Sequence, residues 1–216
     1  MLDGELEGSL LSVIKSSGGN DLMKEAAEFS LDSILNNGFV KDIPVVGTIA
    51  NLYKGAIAVQ GYVFAKKIRK FLTELTSIPK RERDDFSKKL EIDKKLHDRT
   101  AEVLITLLDK LDDLEKAPLL ARAFSGYIRN EYDFITFQRL AASVDRCLIN
   151  DIPMLERLQK PMGLDTYIGD VLVSAGLATI DAIPLVKSHN SKTVYKLSPL
   201  GHLFLQVVVK GLPREE

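Results

Sequence analysis

From Ile43 to Ala65 the chain carries a single charged residue, Lys54, and it then runs straight into Lys66, Lys67, Arg69 and Lys70. A run this apolar must be covered, either by the rest of the protein or by lipid. As one helix its 23 residues would reach roughly 34 Å at about 1.5 Å per residue, enough to cross a bilayer core. The composition speaks against a standing span. Asn51, Lys54 and Gln60 lie inside it, and a lysine near mid-membrane costs about 2.5–3.5 kcal/mol. Gly47, Gly55 and Gly61 each weaken a helix by about 1 kcal/mol relative to alanine. On a helical wheel Gly47, Asn51, Lys54, Gly55 and Ala58 share one face, and Val46, Ile49, Leu52, Tyr53, Ile57 and Phe64 the other. The leading reading is a hairpin of two buried helices, capped at Asp42 and broken near Gly55. In the competing one, the Val46–Phe64 face docks on a membrane or a partner. The cluster Lys66, Lys67, Arg69 and Lys70 then meets lipid head groups, nucleic-acid phosphates or an acidic protein.

At 216 residues, 45% apolar and 27% charged, the chain has globular composition and room for one good core or two small ones. A net charge of -1 excludes a protein that is basic throughout. Positive charge concentrates in residues 66–99, with twelve Lys/Arg against seven Asp/Glu. Within that stretch KRERDDFSKK alternates the two signs, the habit of a solvated helix face. One cysteine, Cys147, rules out an internal disulfide and fits a reducing compartment. It falls in a helical pattern with Val144, Leu148 and Ile149, where packing is the expected role. The N-terminal MLDGELEGSLLSVIKSS has acids where a signal peptide needs bases. The expected location is cytoplasmic, at the periphery of the inner membrane in the membrane-docking reading.

Helix signals punctuate most of the chain. A short amphipathic segment in 1–19 is followed by a helix from Asn20 to about Asn36, stopped by Gly38. Pro79 opens a helix to about Leu90. Asp93 caps the clearest one, in which Leu96, Thr100, Val103, Leu107, Leu111 and Leu114 keep a near-heptad rhythm, with Leu104 and Leu108 widening the stripe. That is a bundle helix or a dimer seam. Pro118 begins another, Asp133 caps one to about Ile149, and Asp151 with Pro153 starts a short one to about Gln159.

After Lys160-Pro161-Met162-Gly163 the character changes. A helix from Leu164 to Ala175, a left-handed Gly176, strands at 177–180 and 193–197, and a helix capped by Ser198 and opened by Pro199 follow in order. LVSAGLATI and TVYKLSPLGHLFLQVV resemble the helix, wing and closing helix of winged helix-turn-helix proteins, over roughly the last 65 residues. In DNA-binding members of that family the groove-entering helix reads bases with basic or amide side chains. The matching 164–176 contains Asp165 and Asp170 and no basic residue. The wing offers Lys187, His189 and Lys192. A packing or protein-contact role is expected there, with a DNA-binding regulator as an alternative. The fold expected is mainly α: a helical bundle over 1–160 and a winged-helix-like α+β module over 161–216.

DIPVVGTIANLYK, KKIRKFLTEL and LEKAPLLARAFSGYI give residues 20–150 a texture similar to uncharacterised helical proteins of bacterial abortive-infection or defence systems. The resemblance implies an effector acting on membranes or partner proteins. It supplies no catalytic residues.

No phosphate-binding glycine loop, dinucleotide fingerprint, nucleophile elbow, zinc-protease motif or cysteine pair occurs. His97, His189 and His202 stand apart without ligands at metal-binding spacing. No catalytic residue, metal site, cofactor or small-molecule substrate is expected. The function expected is non-enzymatic: protein–protein contact or self-association, in a defence or stress setting. A membrane-associating or pore-forming effector using residues 43–70 is the first alternative.

Overall fold

A computed structural model describes residues 42–56, 62–182 and 192–211. The segments expected over 1–19 and 20–36 lie outside the described residues, as do Ile57 and the wing positions Lys187 and His189. The protein is mainly helical, with a small three-stranded antiparallel sheet near the C-terminus.

The apolar run that opens the described chain divides into two helices, α1 (Pro44–Ala56) and α2 (Tyr62–Leu75), which pack on one another. Pro44 occupies the first turn of α1, where its missing N–H costs nothing. Ile43, Val45, Val46, Ile49 and Ala50 are buried, as are Ile68, Phe71, Leu72 and Leu75 of α2. Asp42 holds Arg83 of the next helix at 3.4 Å.

α3 (Lys80–Ile92) follows Pro79, and Asp93 separates it from α4 (Lys94–Lys110). The Asp93 carboxylate accepts from the Leu96 N–H at 2.9 Å, an N-cap as the sequence predicts. α4 stops four residues before Leu114. Leu111 turns extended while its N–H still closes on the Leu107 carbonyl, and it buries its side chain. α5 (Lys116–Ile128) lies at the centre. Its small residues Ala117, Ala121, Ala123 and Gly126 let neighbours approach on several sides, and nine of its thirteen residues are buried. Phe71, Phe86, Phe124, Tyr127, Phe134 and Phe137 form a continuous aromatic cluster around it, ring centroids 5.1–6.2 Å apart.

α6 (Phe134–Arg146) is capped by Asp133, which accepts from Thr136 N–H at 2.8 Å. It ends at Arg146 rather than Ile149, because Cys147 takes an extended backbone as C-cap. A 3₁₀ turn (Ile149–Asp151) leads into α7 (Ile152–Arg157). Residues assigned from sequence to a linker form β1 (Met162–Gly163). α8 (Thr166–Ser174), β2 (Ala178–Ala182) and β3 (Val194–Leu197) follow, in the sheet order β1-β3-β2. Gly176 has φ 76°, the left-handed turn the sequence requires there.

The last helix, α9 (Pro199–Phe204), starts at Ser198, whose hydroxyl accepts from Gly201 N–H. It widens into a π-helical turn over Leu205–Val209, where the Lys210 N–H reaches the Leu205 carbonyl five residues back. Arg122 of α5 takes the carbonyls of Val208 and Val209 at 3.3 and 3.1 Å. One hydrophobic cluster runs from Ile43 to Val208, so the sheet and final helix close the same core as the bundle.

Gly201 makes that closure tight. A Cβ at this position would collide with the Leu177 carbonyl oxygen, which is backbone and cannot rotate away. Gly201→Ala is therefore expected to lose about 1–3 kcal/mol, read as a lower urea midpoint at unchanged slope. An unmoved midpoint would show that the backbone at Leu177 yields.

Candidate interaction surface

α4 and α6 lie side by side and run in the same direction. The Arg99 guanidinium sits 5.2 Å from the centre of the Phe134 ring at one end, and Lys110 Nζ lies 2.6 Å from Asp145 Oδ2 at the other. Both ties join residues 35 positions apart, so the two helices stop level, while α4 begins more than a turn before α6. Parallel helices place their negative ends together, with several carbonyls unsatisfied at each. Lysines fill that need. Lys67 of α2 donates to the Asp109 carbonyl of α4 at 2.8 Å, and Lys116 of α5 donates to the Asp145 carbonyl of α6 at 2.8 Å. Lys116 is 1% exposed and holds the Asp112 carboxylate at 2.6 Å, which keeps Asp112 below the usual carboxylate range. The Cys147 thiol is buried beside this end, and burial pushes its pKa up to about 11.

This arrangement takes the basic cluster apart. Lys67 is buried on a helix end, and Lys70 pairs with Glu115 at 2.7 Å. Lys66 and Arg69 also have partners. Of the proposed membrane or partner face, Val46 and Ile49 are in the core and Phe64 packs against it half-buried. The side chains of Leu52 and Tyr53, like Ile57, lie outside the described residues. Lys192, expected from sequence to lie in a wing, pairs with Asp165 at 3.0 Å. Among the described residues no helix is long and apolar enough to cross a membrane. No group of three His, Cys, Asp or Glu among them lies close enough to hold a metal.

What the structure leaves open is a groove of about 430 Å³ along the α4–α6 seam. Val103 and Leu107 of α4 and Ala142 of α6 give it apolar walls, with Arg99, Glu102 and Thr106 along one rim. Ile135, which shares the α6 face of Gln138 and Ala142, is 57% exposed. The near-heptad rhythm in α4 marks this surface, but periodicity alone does not separate its two halves. Thr100, Leu104, Leu108 and Leu111 are buried, while Leu96, Val103 and Leu107 on the same broad stripe stay partly uncovered. A second cleft, about 290 Å³ beside Arg122 and Lys210, is structural in character: Glu74 binds Arg122 at 2.8 Å and the π-turn carbonyls take its other nitrogen.

The chain matches no family model, no curated protein and no solved structure.

Two outcomes follow for the lysine-capped end. Lys116→Met strands the Asp145 carbonyl and is expected to cost about 1–3 kcal/mol. Lys110→Ala removes an ion pair whose lysine is largely exposed and should cost well under about 1 kcal/mol. Because the folded Asp112 pKa is depressed, the pair's contribution is present above the unfolded carboxylate value and fades as pH falls through the folded one. The gap between wild type and Lys116→Met therefore narrows in acid. Equal losses for the two variants in urea titrations would refute the capping role. Separately, Cys147 should resist thiol reagents in the native protein at mildly alkaline pH and react at once in guanidinium chloride. Rapid native labelling would contradict its burial.

Proposed function

We propose that the protein works without chemistry of its own, by binding another protein in the groove between α4 and α6. The observation that carries this reading is the apolar strip of Val103, Leu107, Ala142 and exposed Ile135 at the edge of a well-filled core. Apolar side chains rimmed by Arg99, Glu102 and Thr106 are the usual composition of a protein contact, an uncharged centre with a polar border. Half-buried Val103 and Leu107, flanked by neutral Gln138 and Thr106, offer further burial to a partner.

The alternatives draw less support. Membrane association through residues 43–70 would require Val46 and Ile49 to leave the core and Lys67 to abandon the α4 end. DNA binding by the C-terminal module, the function a winged-helix resemblance brings to mind, would use α8 and the wing. α8 has no basic residue, and Lys192 and Lys196 face Asp165 and Asp181 at 3.0 and 2.7 Å.

A photo-crosslinking residue placed at exposed Thr106 in the native host tests the proposal, with exposed Glu156 on α7 as control. Light-dependent adducts are expected from position 106 and not from 156, and Ile135→Glu should abolish them. No adduct at 106, or one indifferent to Ile135→Glu, sinks the groove reading.

A further inference from the structure

We infer that the partner in this groove is a second copy of this chain, its α4 crossing the first antiparallel about a twofold axis level with Leu104. The inference rests on the groove-binding reading and adds the identity of the partner. Its basis is the charge order along the exposed ridge of α4. Between Arg99 and Asp109 the only charged residue is Glu102, so the middle of the ridge is nearly neutral. Beyond it the signs are arranged in opposition about Leu104. Antiparallel pairing at that level sets Arg99 against Asp109 of the second copy and Asp98 against its Lys110. Every one of these positions except Lys110, which Asp145 of the same chain also holds, is exposed without an ion-pair partner from another helix among the described residues. Glu102 meets the second copy's Thr106 hydroxyl.

A parallel arrangement would put each charge against itself, and a shift by one residue would put Asp98 opposite Asp109. Charge order therefore selects both direction and register. The contact is isologous. The same patch serves on both copies, so the assembly closes as a dimer and does not grow into a filament. Val103 and Leu107 of each copy, partly buried in the single chain, become covered at the centre.

The test is sedimentation of the full chain over a range of concentrations, at low and high salt. A mass of two chains is expected, weakening as salt rises. Arg99→Glu and Asp109→Lys should each loosen the dimer by roughly tenfold or more, since each creates two like-charge contacts. Combining them in one chain exchanges both signs at once and should restore the wild-type dimer. Circular dichroism checks that each variant is folded, and because Asp109 is exposed its reversal leaves the core intact if Arg99→Glu does not. A monomer at every concentration, or a dimer indifferent to both reversals, overturns the inference. A monomer whose Thr106 adduct contains a different protein overturns it while leaving groove binding in place; no adduct of any kind removes both.

Discussion

Two helices that run parallel and end level need positive charge where their carbonyls converge, and in this protein two buried ammonium groups supply it. Desolvating an ammonium costs several kcal/mol unless good acceptors surround it. Lys116 meets that condition with the Asp112 carboxylate and the Asp145 carbonyl, and Lys67 reaches the Asp109 carbonyl. Each lysine comes from a different helix than the one it caps, so the two side chains tie α2 to α4 and α5 to α6. Removing either takes the lysine donor away from a part-buried helix-end carbonyl, which is the costly direction of such a change. The relative placement of four helices thus hangs on two hydrogen-bonded charges as well as on apolar packing.

The same constraint explains why the densest basic cluster in the chain is a poor guide to function. In sequence, Lys66, Lys67, Arg69 and Lys70 form one patch after an apolar run, the layout of a lipid-binding element. In the fold, Lys67 turns inward to a carbonyl 42 residues away and Lys70 outward to a carboxylate 45 residues away. Neither distance is visible in local spacing. Caps were legible for the opposite reason. Asp93, Asp133 and Ser198 each reach a backbone N–H only three residues on, so residue type and the following apolar pattern suffice. Helix ends were less so: α4 and α6 stop at Leu111 and Cys147 because those side chains enter the core, which is a property of the assembled neighbours.

The apolar stripe of α4 shows how far periodicity can go. Residues 96 to 111 carry apolar side chains over an arc wider than a single neighbour covers, and the sequence already admitted either a bundle helix or a seam between chains. The bundle description holds for one half of the arc, and the seam is the reading proposed for the other. The Leu104–Leu108 half faces the core, where α1, α2 and α3 gather. The Val103–Leu107 half looks along α6, whose parallel course leaves a trough because the two helix surfaces diverge above their line of contact. Which half is covered is decided by where the lysine caps set α6, and that lies beyond any window read from α4 alone.

The C-terminal segment completes this logic at the opposite end of the chain. A final helix of Leu-Gln-Val-Val-Val would continue as an ordinary α-helix if only local preference acted, though three consecutive β-branched residues weaken that preference. Arg122 draws the carbonyls of Val208 and Val209 toward α5 while Glu74 of α2 holds its other edge. The helix answers by widening to a π-turn, and Val207 and Val208 drop into the common core. Arg122 thus does for the closing helix what Lys67 and Lys116 do for α4 and α6. Charged side chains from the central helices take the carbonyl ends of three others, which sets each helix in place by its terminus. On the outer ridge of α4 the Asp109 carbonyl is taken by Lys67 and the Lys110 ammonium by Asp145, while the side chains of Glu102, Thr106 and Asp109 take no part in any of the three caps and stay exposed.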